Sequence, residues 1–298
     1  MKHDSNLILG YLFVVGTAFF TAFSYIFGKM VSDDLYPETV TFYWFLGAFL
    51  VAIINGIILS IFSNNFKFVL SNLKDYKKVT IISSLITIVS VAFWVIALRT
   101  VGPPVTSFLM KFQVVFSVLL GFLFLNEKLN RLEILGITIT FVGAFVITYD
   151  SSNFELKGSL YAILAAFGYS SLFMIVKKMG SQLNMMMVAV LRSLGVSILV
   201  GLYLICFNKF QLPTPTDFIY MLIGGTCGAY IGKAFQFQAI KLVDISRTTA
   251  ITPLEAVFVL ILTYIFFDSV PSTIKLIGGS LILLGVLSLI IFSRKKNN

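Results

Sequence analysis

The chain has 298 residues, of which 58% are hydrophobic and only 12% are charged, and its mean hydropathy is +0.97. This composition lies outside the range of soluble globular domains and predicts a polytopic membrane protein. The net charge of +9 is explained by lysines that face the cytoplasm and anionic lipid headgroups, so we expect no nucleic acid among its partners and a lipid bilayer instead.

Ten apolar runs follow one another along the chain, each close to the length of about 20 residues that a spanning helix needs. They lie at 7–28, 38–62, 79–98, 104–125, 132–149, 158–176, 185–207, 217–240, 248–267 and 274–293. No small-residue cleavage site follows the first run, so we expect it to be retained as the first helix rather than removed as a signal peptide. The connections are short, and the predicted fold is an all-α integral membrane protein.

The two halves of the chain carry a faint internal repeat. Residues 97–121 align without a gap on residues 239–263 at an offset of 142, and residues 9–30 align on residues 157–178 at an offset of 148. The first offset also aligns two pairs of glycines, Gly136 with Gly278 and Gly143 with Gly285. Glycines seven residues apart lie on one helix face, so both copies predict the same kind of helix contact.

The positions of the cationic residues predict the orientation of the chain. With a cytoplasmic N-terminus, the inner segments hold 14 Lys and Arg residues and the outer segments hold 5, so both termini are predicted to be cytoplasmic. The repeats, 1–150 and 151–298, would each contain five helices, an odd number, so the second would cross the membrane in the opposite sense. Inverted repeats favour a transporter with alternating access over a channel or a membrane enzyme.

Three local segments carry a specific resemblance. They are LNEKL at the end of the fourth run, LGITITFVGAFVI in the fifth and PETVTFYWF at the start of the second. With the two five-helix halves, these segments make the whole chain resemble the EamA branch of the drug/metabolite transporter superfamily. The resemblance implies a protein that exports or exchanges small organic metabolites, often amino acids, through a central cavity lined by both halves. We expect the protein to lie in the plasma membrane.

Four charged residues stand out inside the predicted spans, away from the first two positions of each: Lys111, Arg192, Lys233 and Glu255. Each charge costs about 2.5 to 3.5 kcal/mol on insertion scales, so each asks for a structural or functional reason. Three cations against one anion leave two positive charges, which would favour an anionic or carboxylate-bearing substrate.

Position along the helices suggests how these charges are used. Lys233 and Glu255 both lie about 10 Å from the cytoplasmic end of their helices, so they could pair. The pair is either a permanent neutralising contact or a salt bridge that opens for substrate or a proton, with Glu255 as the coupling group. Arg192 is near enough to the inner interface to extend its charge towards water. Lys111 is deeper, and we expect it to contact substrate.

Polar and aromatic residues of the same helices supply further candidate substrate contacts. They are Gln113, Gln236, Trp94 and Tyr230, with Trp44 as a further possibility. In the repeat, Gln113 is the counterpart of Glu255 and Trp94 that of Gln236. Any single aromatic residue has packing against other helices or lipid as the alternative use.

Other classes of function lack the residues they need. Cys206 and Cys227 lie inside apolar runs and the single His3 is near the N-terminus, so neither a disulfide framework nor a metal centre is predicted. We find no nucleophile with its base and no phosphate-binding loop, and therefore expect neither an enzyme nor a cofactor. A lipid-linked substrate flippase and a non-transporting scaffold remain alternatives. A homodimer is a second possible use of the glycine stripe at Gly224, Gly228 and Gly232.

Overall fold

The computed structural model of the chain describes residues 2–62, 73–125, 131–148, 156–180, 183, 185–242 and 253–293. Every regular element within these ranges is a helix. Seven helical stretches in this part of the chain are long and apolar enough to cross a membrane, and three shorter apolar helices accompany them. The chain is thus an all-α, multi-pass membrane protein.

The helices follow the predicted apolar runs and extend beyond several of them. In the first half they are α1 (Lys2–Ser32), α2 (Pro37–Phe62), α3 (Leu73–Leu109), α4 (Phe112–Leu125) and α5 (Arg131–Thr148). In the second half they are α6 (Leu156–Gly180), α7 (Met185–Cys206), α8 (Pro215–Gly225), a π-helix (Thr226–Gly232), α9 (Lys233–Leu242), α10 (Pro253–Phe267) and α11 (Thr273–Ser293). The start of the predicted run at 248–267 lies outside the described residues.

Helix α3 contains a sharp backbone break that separates the third and fourth predicted runs. Gly102 has φ 75° and ψ 170°, a backbone conformation that residues other than glycine rarely adopt. Pro103 and Pro104 follow it, and because proline lacks an N–H it suits the first turn of the helix that resumes there. The fourth predicted run, 104–125, begins at this point.

A second irregularity lies at Met110 and Lys111, between α3 and α4. The Lys111 N–H donates to Phe108 O at 3.0 Å, and the Val114 N–H donates to Lys111 O at 3.0 Å. These bonds span three residues rather than four, so the chain tightens locally into a 3₁₀-like turn. The turn interrupts the helix at the residue that carries a buried charge.

The segment predicted as one helix at 217–240 is α8, the π-helix and α9 in succession. Gly228 and Gly232 let the π-helix approach α1, since a Cβ at Gly228 would lie 2.7 Å from Ser24 Cβ and one at Gly232 2.9 Å from Thr21 Oγ1. Gly224 likewise accommodates the ring of Trp44. The glycine stripe of this segment is therefore used for packing within the chain.

Helices α5 and α11 pack along the glycines that the repeat aligns. A Cβ on Gly143 would lie 2.7 Å from Gly278 O, and one on Gly136 would lie 2.9 Å from Gly285 O. The partners run in opposite directions along the two helices, so the helices are antiparallel. Gly143 meets Gly278, the repeat counterpart of Gly136, and Gly136 meets Gly285, the repeat counterpart of Gly143. The two helices therefore offer each other the same surface, and this α5–α11 seam is self-complementary.

Other helix contacts between the two halves show the same reciprocal pattern, in which a helix and its repeat counterpart take equivalent partners. Helix α1 packs against α8, α9 and α10, while its repeat counterpart α6 packs against α3 and α4. The counterparts α2 and α7 pack against each other, as do α5 and α11. Large apolar side chains such as Leu123, Phe145 and Ile205 cover the outside of the bundle, where lipid would replace protein contacts.

Polar bonds join the helices at the end of the bundle that carries the α1–α2 connection. Lys29 Nζ lies 2.9 Å from Asp33 Oδ2, and the Arg99 guanidinium donates to the backbone oxygen of Asp33. Gln211, from the connection between α7 and α8, donates to Asp34 O at 3.3 Å and accepts from the Tyr36 N–H at 3.2 Å. These bonds hold segments of the two halves together at this end.

Candidate functional site

A largely buried ion pair joins the two halves of the chain. Lys111 Nζ is 2.9 Å from Glu255 Oε1, and the side chains are 6% and 16% exposed. Lys111 extends from the turn between α3 and α4, and Glu255 belongs to the first turn of α10, where a carboxylate also suits the positive end of the helix dipole. Each buried charge is therefore neutralised by the other.

A chain of aromatic residues begins next to this pair. The Tyr25 side chain of α1 interacts with both Glu255 and Trp94. The rings of Tyr25 and Trp94 meet edge-on with centroids 5.5 Å apart, and those of Trp44 and Trp94 with centroids 5.7 Å apart. Trp44 and Trp94, both predicted as possible ligand contacts, are thus buried together and connect to Glu255 through Tyr25.

The predicted pairing of Glu255 with Lys233 is replaced in the structure. Lys233 Nζ donates to Gln236 Oε1 at 2.9 Å and lies 4.8 Å from the centre of the Phe173 ring. The prediction placed residues only by depth along straight helices. It took no account of the break at Lys111, which brings that ammonium group to the carboxylate.

Arg192 on α7 does not extend towards water as predicted. Its side chain is 6% exposed and points between α2 and α3, where Nη1 lies 3.5 Å from Thr87 Oγ1 and the guanidinium carbon lies 5.6 Å from the centre of the Phe45 ring. Ser84 Oγ donates to the backbone oxygen of Arg192 at 3.3 Å and fixes α7 against α3. The charge is therefore held in the interior.

The four ionisable residues share one electrostatic environment. Lys233 interacts with Arg192, Lys111 and Glu255, and Arg192 interacts with Tyr169 of α6. Glu255 is the only acidic residue in this group, and its ion-pair partner is Lys111. Within the described residues the group retains two positive charges without an acidic partner.

The other predicted contacts lie around this group. Gln113 is half-buried in the first turn of α4, and Ser117, one turn further, exchanges a hydrogen bond of 2.9 Å with Ser170 of α6. Tyr230 accepts a bond of 2.6 Å from Asn55 Nδ2. It also borders a small, shallow cleft between α2, α7, the π-helix and α9, whose lining is mostly alanine.

Sequence reasoning missed several residues of the site. Tyr25, Asn55, Thr87 and Tyr169 each contact or interact with a predicted residue. The available signal was a polar side chain inside an apolar run. That signal is weak because Tyr and Thr are common in this chain, and it cannot say which side chains face the interior.

The site combines charged and aromatic side chains in the part of the chain that the structure describes. No group of three or more His, Cys, Asp and Glu residues that could hold a metal occurs there. The arrangement can bind and neutralise charge and can stack aromatic groups. A charged interior enclosed by apolar helices is typical of membrane transporters, where intramembrane charges mark substrate and ion paths.

The family comparison agrees with this class. The chain belongs to the EamA-like transporter family, whose model matches residues 8–149 and, a second time, residues 156–291. It is therefore a membrane transporter of the drug/metabolite superfamily rather than an enzyme.

The individual proteins to which the chain is similar share only about a quarter of its residues or fewer. An S-adenosylmethionine uptake transporter of Rickettsia prowazekii is 27% identical over 66% of each chain, slightly less than two thirds of its length. Its counterpart in Rickettsia conorii is 26% identical over 73% of each chain, and an uncharacterized transporter of Methanothermobacter thermautotrophicus is 23% identical over 93% of this chain and 84% of its own. A solved crystal structure that is 16% identical covers 99% of both chains with a TM-score of 0.65, which shows the shared fold.

Proposed function

We propose that the chain is a secondary active transporter that exchanges a small, carboxylate-bearing organic metabolite such as an amino acid across the plasma membrane. The observation that carries this proposal is the excess of positive charge in the group formed by Lys111, Arg192, Lys233 and Glu255. This group includes one carboxylate among the described residues, that of Glu255, and only Lys111 is paired with it. A substrate with a carboxylate would supply the missing negative charge.

The same charge favours exchange over one-way export. During the change between outward-open and inward-open states, the site closes and excludes water. If the site is empty, two unpaired cations are then buried without compensation, which costs several kcal/mol for each charge. A bound carboxylate removes most of that cost. The loaded transporter would therefore reorient faster than the empty one, which is the kinetic condition for exchange.

We also propose that the transporter has ten spanning helices in two inverted repeats, with both termini in the cytoplasm. The separate family matches to each half and the self-complementary contacts of α5 with α11 support this arrangement. The polar bonds around Asp33 would then close the outer end. Such repeats provide outward-open and inward-open states by exchanging conformations.

Among metabolites of this class, amino acids with a large side chain fit the aromatic surroundings best. S-adenosylmethionine is the compound that appears in the names of the Rickettsia relatives. It combines an amino-acid carboxylate with an adenine ring and a sulfonium cation. Trp44, Trp94 and Tyr25 offer faces for stacking and cation–π contact. It is a first substrate to test, together with methionine and other amino acids.

Glu255 is the proposed coupling group if protons take part. It faces Lys111, and Tyr25 and Lys233 are the other titratable groups that interact with it. Protonation would remove the carboxylate charge and release Lys111 to the substrate. We expect uptake by the wild type to depend on pH and uptake by Glu255→Gln to lose that dependence; an identical pH profile in both would remove protons from the mechanism.

The test is counterflow in proteoliposomes that contain the full chain. Vesicles are preloaded with unlabelled amino acid or S-adenosylmethionine, and entry of the labelled compound is followed. We expect rapid labelled entry only into preloaded vesicles. Labelled phospholipid that changes leaflet while every soluble compound stays outside would favour the flippase, and the absence of both activities would favour a non-transporting scaffold.

A further inference from the structure

Arg192 is a buried guanidinium whose bonding capacity is mostly unused. The group has five N–H donors in a planar fork that matches a carboxylate. The structure gives it one long bond, 3.5 Å to Thr87 Oγ1, and the face of Phe45 at 5.6 Å. No acidic residue among those described lies against it. A buried cation with so little compensation is costly in the empty protein.

Lys233 has the same deficit on the neighbouring segment. Its ammonium is satisfied by neutral groups only, the amide oxygen of Gln236 at 2.9 Å and the ring of Phe173 at 4.8 Å. Arg192 and Lys233 are close enough to repel each other electrostatically. Neither cation is in direct contact with a carboxylate among the described residues, so together they create a positive potential at the place where α7 and α9 approach.

Lys111, by contrast, already has its anion. Its bond to Glu255 at 2.9 Å makes it a less suitable anchor for a second carboxylate, although the sequence favoured it for that role. We propose that Arg192 and Lys233 form the carboxylate-binding subsite of this protein, with the Lys111–Glu255 pair beside it facing the remainder of the substrate. This inference rests on the proposed transport of a carboxylate-bearing metabolite and names the residues that recognise it.

The two residues have different tasks in the subsite. The Arg192 fork binds both carboxylate oxygens and sets their plane, while the Lys233 ammonium adds a point charge from α9. The weak bond to Thr87 is given up when the anion arrives. Glu255 then attracts a cationic group elsewhere on the substrate, such as an ammonium or sulfonium, so a zwitterion is matched at both ends.

The experiment measures thermal stability of the detergent-purified full chain with matched ligand pairs. The pairs are S-adenosylmethionine with its decarboxylated form, and L-methionine with L-methioninamide; sodium acetate against sodium chloride at equal ionic strength tests the bare carboxylate. The variants are Arg192→Gln, Arg192→Lys and Lys233→Gln. Lys209→Gln, which removes an exposed cation, is the matched control.

We expect the carboxylate member of a pair, or acetate, to raise the melting temperature of the wild type more than its partner does. Arg192→Gln and Lys233→Gln should weaken that binding roughly tenfold or more, because each removes charge-assisted hydrogen bonds. Arg192→Lys should recover only part of it, since an ammonium lacks the fork. Lys209→Gln should bind as the wild type does.

Two results would overturn the subsite. One is wild-type protein that no carboxylate and no acetate stabilises beyond the matched partner. The other is carboxylate selectivity that survives in both Arg192→Gln and Lys233→Gln. If either result is found together with active exchange in proteoliposomes, the proposed transport function stands and only the subsite proposal is wrong. Selective binding without exchange keeps the subsite and removes the proposed transport.

Discussion

At the scale of single residues, the Lys111–Glu255 pair makes a prediction that does not depend on the substrate. Lys111→Met leaves a carboxylate buried without its partner, and we expect it to lower the free energy of unfolding by about 3–5 kcal/mol. The double variant Lys111→Met with Glu255→Gln removes both charges and should recover most of the loss. Unfolding in detergent measures both. Equal losses in the single and double variants would contradict a direct pairing.

Arg192 and Lys233 should respond in the opposite sense in the absence of ligand. Neutralising one of two mutually repelling cations relieves a buried charge without leaving an unpaired anion. We therefore expect Arg192→Gln to leave the melting temperature of the empty protein unchanged or to raise it. A decrease as large as that of Lys111→Met would show that the guanidinium has an acidic partner in the protein.

At the scale of helices, the α5–α11 seam depends on the absence of side chains. We expect Gly143→Val to destabilise the protein by about 1–3 kcal/mol, since its Cβ would lie 2.7 Å from Gly278 O and backbone atoms cannot move aside cheaply. Val142→Leu, on the exposed side of the same helix, is the control and should be neutral. Thermal unfolding compares the two, and similar melting temperatures would show that the seam can open without cost.

The break at Gly102 is a different kind of glycine requirement. Open space surrounds the position, so an added methyl group meets no other atom within 4 Å. Backbone conformation alone predicts that Gly102→Ala costs about 1–3 kcal/mol, because φ 75° with ψ 170° is almost restricted to glycine. Thr100→Ala, at an exposed position before the break, is the control. Val105→Ala, after the break, would not serve because Val105 is buried. Unchanged stability in Gly102→Ala would mean that the break relaxes freely.

At the scale of the whole molecule, the orientation can be tested by chemical labelling. Cys206 and Cys227 are first replaced by serine, and single cysteines are introduced at Asp75 and Thr214, both exposed. We expect a membrane-impermeant maleimide added to intact cells to label Thr214→Cys and to spare Asp75→Cys until the membrane is permeabilised. The reverse pattern would place the N-terminus outside.

The helical architecture was accessible from the sequence because it depends on long apolar runs. The described helices overlap the predicted runs, and the break between the third and fourth runs coincides with Gly102, Pro103 and Pro104. Lipid imposes helical structure on such runs since every backbone polar group must be satisfied within the segment. The repeat also aligned the glycines that form the α5–α11 seam.

The partners of the buried charges were not accessible in the same way. Depth along a helix is a one-dimensional quantity, whereas pairing depends on which direction each side chain points. The turn at Met110 and Lys111 changes that direction, and nothing in FLMKFQ signals it. A hint was present in the repeat, because Lys111 lies only two positions from the counterpart of Glu255. Arg192 was misjudged for the same reason, since its rotation about α7 determines that it faces Thr87.

The reciprocal glycine contacts between α5 and α11 also bear on how such a chain could have arisen. Gly136 meets Gly285 and Gly143 meets Gly278, so each helix offers the other the same surface. Two copies of one chain related by a two-fold axis form interfaces of this kind. Under the proposed arrangement of two inverted five-helix repeats, an ancestral five-helix polypeptide that inserted into the membrane in both directions would already have possessed this seam before gene duplication and fusion joined its two copies.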